Sequence, residues 1–99
     1  MKSNFEISRL ALKDLDEIWE YTAEHWSKHQ ANKYFKELFE VINKICNNSE
    51  IGKPIHDIKI GHKRINIKSH MIIYKIKQEI IYVARILHQK MDIDEHLSE

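Results

Sequence analysis

The spacing of apolar residues changes period twice along the chain, and each change marks an element. Phe5 and Ile7 alternate with Asn4, Glu6 and Ser8, the two-residue period of a short strand. Around Leu10–Ala11 the period changes. Leu15, Ile18, Trp19, Thr22, Ala23 and Trp26 then recur at helical spacing, with Asp14, Asp16, Glu17, Glu20 and Glu24 between them. These acids crowd toward the helix start, where the dipole favours them. Ser27-Lys28-His29-Gln30 has the Ser-x-x-Gln form of a capping box, so a second helix begins there. Ala31, Tyr34, Phe35, Leu38, Ile42 and Ile45 give it an apolar stripe, widened by Phe39 and Val41, and Asn47-Asn48-Ser49 ends it. Two helices joined this closely form an antiparallel hairpin.

Ile51-Gly52-Lys53-Pro54 reads as a loop, and Ile58 to Gly61 as a short linking segment. Arg64-Ile65-Asn66-Ile67 alternates as a strand, and Lys68-Ser69 is a tight turn. His70 to Ile76 is the next strand, turning at Lys77-Gln78-Glu79. Ile80 to Leu87 is almost continuously apolar, as a central strand covered on both faces should be. The order is β-α-α-β-β-β, an α+β class with the helix hairpin packed on an antiparallel sheet. The other sheet face is expected to be concave, polar and partly basic, carrying some of Arg64, Asn66, Lys68, His70, Tyr74 and Lys75.

Ninety-nine residues predict a single domain over 1–99 with one core. A hydrophobic content of 42% excludes a disordered chain. No apolar run of membrane-spanning length occurs, so no membrane is expected as a partner, and the N-terminus lacks the apolar stretch of a signal peptide. The lone Cys46 cannot form an internal disulfide, which fits a reducing, cytoplasmic setting. It falls on the apolar side of the second helix and reads as core. The net charge of +1 conceals an asymmetry. Residues 53–90 hold nine Lys/Arg against two Asp/Glu, whereas residues 91–99 hold four acids and no Lys/Arg. A basic sheet suits an acidic partner, nucleic acid or peptide; it also suits plain solubility, since Lys blocks edge pairing.

Seven histidines raise a metal hypothesis. His25 and His29 have the i, i+4 spacing of a helical zinc pair, but Ser27 breaks the helix between them and nothing completes a site. No metal and no cofactor is expected. His56 and His62 read as solvated loop residues, and the pairs Asp14/Asp16 and Asp92/Asp94 as a solvated helix face and tail. Phosphate-loop, dinucleotide and nucleophile-elbow motifs are absent.

Arg64, His70, Tyr74, Arg85 and His88 form the one set with catalytic potential. RNA cleavage by internal attack needs a base, an acid and a cation, which His, Tyr and Arg supply. His70 and Tyr74 share a strand face, but Arg85 and His88 are an odd number apart. The five therefore line one face only if the last strand ends or bulges. The structural alternative has His70 and Tyr74 in fixed hydrogen bonds and Arg85 paired with a helix acid. Trp19 and Trp26, seven apart on one helix face, read as core; exposed, they would mark a partner groove.

Ser69-His70-Met71-Ile72-Ile73-Tyr74, then Val83-Ala84-Arg85-Ile86-Leu87-His88-Gln89-Lys90-Met91-Asp92 and the closing His96-Leu97, resemble the C-terminal signature of ParE toxins in the RelE/ParE superfamily. Upstream, Ala11, Asp14-Leu15, Ile18, Trp26, Gln30-Ala31, Tyr34 and Leu38 match the hairpin pattern, and Ile51-Gly52-Lys53 and Gly61-His62-Lys63-Arg64 the segment after it. The resemblance covers nearly the whole chain. It implies a RelE-like fold and a type II toxin of plasmid or chromosomal origin. It implies neutralisation by a ParD-like antitoxin and poisoning of DNA gyrase, with the DNA-cleaving gyrase polypeptide as the expected contact. The ribosome-dependent mRNA endonucleases of the RelE branch are the alternative, placed second because the acidic tail has no terminal Tyr or Arg. Direct nucleic-acid binding stays open, as does an interaction protein whose toxicity is lost. Partner contacts are expected at Lys63, Arg64, Arg85, His88, Met91 and Asp92, with Trp19 and Trp26 as further candidates.

Overall fold

The computed structural model describes residues 4–90 and 93–97. β1 (Phe5–Ile7) leads into α1 (Arg9–His25), and α2 (Lys28–Asn47) follows after the turn Trp26-Ser27. A 3-10 turn at Ser49–Ile51 and the short β2 (Lys53–Pro54) precede β3 (Lys63–Ile67), β4 (His70–Lys77) and β5 (Ile80–His88); α3 (Ile93–Leu97) comes last. The strands order as β1-β5-β4-β3-β2, with β1 parallel to β5 and the other pairings antiparallel. The expected α+β architecture holds, with β2 and α3 added where the sequence reads as loop and tail.

Both helices start on serine caps. The Ser27 hydroxyl accepts from the Gln30 amide at 3.0 Å, as the capping-box spacing predicts. The Ser8 hydroxyl accepts from the Ala11 amide at 2.9 Å and donates to the Ala84 carbonyl at 2.7 Å, which ties the start of α1 to β5.

That carbonyl belongs to a β-bulge. Ile73 pairs with Arg85 but Tyr74 pairs with Val83, so Ala84 has no opposite residue. The extra residue breaks the alternation of β5. Val83 and Ile86, three apart, both enter the core beneath the hairpin, while Ala84 packs with Leu87 on the other face.

The main core sets Leu15, Ile18, Leu38, Ile42 and Ile45 of the hairpin against Ile72, Tyr74, Val83 and Ile86 of the sheet. Leu38, Ile42 and Ile45 have no exposed surface, so truncating any one to Ala costs about 2–5 kcal/mol. Tyr74 is also fully buried. Its hydroxyl donates to the Ser49 carbonyl at 2.8 Å and accepts from the Gly52 amide at 2.9 Å. A Cβ on Gly52 would stand 2.3 Å from that hydroxyl oxygen, so only glycine fits the approach.

The second sheet face is not open, contrary to the sequence expectation. Met71, Ile73 and Leu87 pack there against Ile55, Ile93 and Leu97, a small core covered by α3 and the 55–62 segment. His62 is only 5% exposed on this side rather than solvated. Burial pushes its imidazole pKa down, and the ammonium groups of Lys75 and Lys59 add to the effect.

Candidate functional site

A groove of about 590 Å³ runs between the hairpin and the ends of β4 and β5. Its walls are the flank of α1 bearing Glu17, Ile18 and Tyr21 and the flank of α2 bearing Lys33, Tyr34 and Glu37. Trp26 stands at one end and His70, Ile86 and His88 form the floor. Trp26 is 74% exposed and Tyr21 60% exposed. The core placement expected for Trp26 is therefore wrong. The helix ends at His25, and Trp26 takes the cap conformation with φ −127°, which swings it off the apolar stripe. Trp19 is half-buried and its indole donates to Asn32 at 2.9 Å, so it stitches α1 to α2 outside the groove.

The polar floor is a linked set. The Tyr34 hydroxyl lies 2.7 Å from His70 Nδ1 and donates to the Ile67 carbonyl at 3.2 Å. Both contacts are satisfied together when His70 carries its proton on Nδ1 and donates it to Tyr34. His88 is the cross-strand partner of His70, its ring edge-on at 5.4 Å. Burial, with the adjacent His88, pushes the His70 pKa down to about 4. Burial raises Tyr34 to about 12. Both are thus neutral at pH 7. Glu37 and Lys68 close the side wall with a 2.8 Å ion pair. Gln89 ties the strand end to the turn, its amide donating to the Ser69 carbonyl at 2.8 Å.

The structure separates the five catalytic candidates. His70 and His88 meet in the groove. Tyr74 is sealed beneath the hairpin, not on a polar surface, and burial raises its pKa. Arg64 pairs with Ile73, so it lies on the face away from the hairpin. Arg85 donates from Nε and Nη2 to Asp14 at 2.9 and 3.0 Å and from Nη1 to the His96 carbonyl at 3.2 Å. A bulge in the last strand is present, but it does not unite the five. It puts His88 on one face and turns Arg85 into a bridge between α1 and α3. A His held near 4 and a Tyr held above its ordinary value are poorly matched to proton transfer at pH 7.

Asp14 is 8% exposed, not part of a solvated face, because it accepts from Arg85 and from the Ile86 amide. Among the partner candidates, Lys63 reaches Glu50 at 3.8 Å near β2. Met91 and Asp92 lie outside the described residues. Tyr21 and Glu37 line the groove without being singled out by the sequence pattern, and Tyr34, read there only as part of the α2 stripe, lines it too. The available signal is that Tyr21 follows Ile18 by three, at the margin of the α1 stripe. Among the described residues, no group of three or more His, Cys, Asp or Glu side chains is arranged to hold a metal, and no helix is long and apolar enough to cross a membrane.

The family model described as ParE toxin of type II toxin-antitoxin system, parDE, matches residues 5–93. Toxin ParE1 of Mycobacterium tuberculosis (strain H37Rv) is 36% identical over 98 residues, covering 98% of this chain and 100% of that protein. Toxin ParE1 of Caulobacter vibrioides is 33% identical over 93 residues, covering 94% of this chain and 96% of that protein. A solved structure described as the chromosomal ParDE TA system from P. aeruginosa shares the fold, with a TM-score of 0.75 at 17% identity over 87% of this chain and 95% of that one.

Proposed function

The chain belongs to the ParE toxin family of type II toxin–antitoxin systems, and from that membership we propose that it acts in the cytoplasm by binding DNA gyrase and blocking replication. A ParD-like antitoxin holds it inactive by laying an amphipathic segment into the groove between hairpin and sheet. The observation that carries this reading is the groove itself: about 590 Å³, with Trp26 and Tyr21 exposed at its rim. An exposed Trp beside an apolar cleft is a typical energetic anchor of a protein interface. The dispersal of Arg64, His70, Tyr74, Arg85 and His88 favours a toxin that binds over one that cleaves RNA.

Two measurements test the two halves. Purified toxin in excess should abolish supercoiling by purified gyrase and accumulate cleaved DNA; full supercoiling under those conditions would sink the gyrase assignment. For the groove, Trp26→Ala should weaken cognate antitoxin binding about 30-fold, the cost of losing a hot spot of about 2 kcal/mol. The melting temperature should stay unchanged, because the side chain is exposed. Unchanged affinity would place the antitoxin elsewhere.

A further inference from the structure

The floor of the groove presents two imidazole nitrogens whose hydrogen-bonding roles are fixed by the fold. The Tyr34 hydroxyl gives its own proton to the Ile67 carbonyl and lies 2.7 Å from His70 Nδ1, so the His70 proton sits on Nδ1. Burial pushes the His70 pKa down to about 4, so at pH 7 its Nε2 carries a lone pair and can only accept. His88 is the reverse. Its Nδ1 accepts from the Lys90 amide at 3.2 Å, so its Nε2 carries the proton and can only donate. The two rings are cross-strand neighbours with centroids 5.4 Å apart, and both line the groove. Among the described residues neither Nε2 has a hydrogen-bond partner, and neither is sealed from solvent. One acceptor and one donor therefore stand side by side, open to an incoming group.

Given the antitoxin reading of the groove, on which this rests, we propose that the His70–His88 pair is a carboxamide-reading site. The antitoxin segment seats one Gln or Asn side chain on it. The amide N–H donates to His70 Nε2 and the amide oxygen accepts from His88 Nε2.

Other polar groups fit the pair less well. A carboxylate brings no proton for His70 and sets its charge against that lone pair. An ammonium satisfies His70 but leaves His88 without an acceptor. Ser and Thr on a helix bond back to their own carbonyls, and they are short for the floor of a cleft walled by two helices. The backbone amides of a helical segment are already engaged within it. The nearby charges are also taken, Lys68 by Glu37 and Asp14 by Arg85. Ile18, Ile86 and Tyr34 line the same groove, so a seated segment excludes water there and leaves a mismatched group without a partner. The floor thereby selects against an antitoxin that carries Asp or Glu at the matching position.

The test is calorimetric titration of the full-length cognate antitoxin into the purified toxin. His88→Asn keeps an acceptor for the Lys90 amide at the Nδ1 position and removes the donor at Nε2. It should lower affinity roughly tenfold, the loss of one hydrogen bond in a water-excluded site. His88→Gln returns a donor to the Nε2 position and should recover most of that loss. Melting curves show that both variants are folded. Each Asn and Gln of the antitoxin is also replaced in turn by Leu or Met, changes that leave the toxin untouched. One of them should cost about tenfold and couple to His88→Asn, the double change costing little more than either alone. The corresponding Asp or Glu at that position should cost more than the apolar residue. Loss on Trp26→Ala with none on His88→Asn would keep the antitoxin in the groove and overturn the carboxamide site. Loss on neither would overturn the groove reading itself. Coupling of His88→Asn to a Ser, Thr, Asp or Glu of the antitoxin, with every Asn and Gln silent, would overturn the choice of group.

Discussion

Replacing Asp14 with Ala is expected to cost this fold about 3 kcal/mol, although Asp14 lies in a row of acids on a surface helix. The carboxylate accepts three hydrogen bonds: from Arg85 Nε at 2.9 Å, from Arg85 Nη2 at 3.0 Å and from the Ile86 amide at 2.9 Å. The Asp14 and Arg85 side chains are 10% and 13% exposed, so solvent neither screens the pair fully nor replaces it cheaply. Bonds to a charged group contribute about 1.5–3 kcal/mol each, and breaking a buried pair costs about 3–5 kcal/mol. The residual exposure argues for the lower end of that range. In a domain of this size each kcal/mol shifts the melting temperature by about 4–8 °C, so the variant should melt roughly 12–24 °C lower. Urea denaturation followed by circular dichroism gives the free energy directly. The cycle of Asp14→Ala, Arg85→Met and the double variant isolates the pairwise term, expected to exceed about 1 kcal/mol. A loss below about 1 kcal/mol for Asp14→Ala, or a coupling near zero, refutes the claim that this pair anchors α1 on β5.

Three further outcomes follow from the geometry. Tyr74→Phe deletes the hydroxyl that serves both the Ser49 carbonyl and the Gly52 amide, so it should cost about 1–3 kcal/mol by urea denaturation; a neutral result would mean those groups find other partners. Gln78 and Glu79 form the β4–β5 turn with φ of 52° and 70°, and replacing them with Asn-Gly should stabilise the protein by about 1 kcal/mol; no gain would show that the turn is unstrained. His70 has a folded pKa of about 4 against an ordinary 6.5, so the unfolded chain binds the proton more readily in that interval. Stability is therefore complete above 6.5 and is lost as the pH falls toward 4. The imidazole is only half-buried, so screening reduces a nominal ~3 kcal/mol to about 1 kcal/mol. His70→Gln should flatten the pH dependence of the urea midpoint by that amount, and an identical pH profile would remove His70 as its source.

The hairpin is legible in the sequence because its information is local: Ser27 and Gln30 are three apart, and the stripe from Ala31 to Ile45 repeats often enough to define a face. What stays hidden is set by distant partners. Asp14 looks solvated because Arg85 is 71 residues away along the chain. Tyr74 and His70 are correctly placed on one strand face, but Met71 through Tyr74 are all buried, and such a run does not say which face the hairpin takes. β2 and α3, with two and five residues, are too short to carry a period. Of the candidate site, the pairing of His70 with His88 follows from strand register, which no single sequence prints. Trp26 is hidden by its position one residue beyond the end of a helix.

Ala84 links the fold to the groove. β5 runs past the end of β1, so its outer carbonyl and amide groups beyond Val83 need partners other than a strand. The first turns of α1 supply them: Ser8 takes the Ala84 carbonyl and Asp14 takes the Ile86 amide. The bulge accommodates this change of partner and also resets the alternation, because one extra residue exchanges the two faces of everything after it. With Ala84 present, Leu87 enters the small core beside Ile93 and Leu97, and His88 faces His70 in the groove. Without it, Leu87 would be offered to the groove and His88 to the apolar core, where an imidazole would lose its hydrogen bond from the Lys90 amide. A deletion of Ala84 should therefore destabilise the domain by more than any single truncation on β5 and abolish antitoxin binding at once. A folded deletion variant that still binds antitoxin would show that the parity of β5 is not what places the groove.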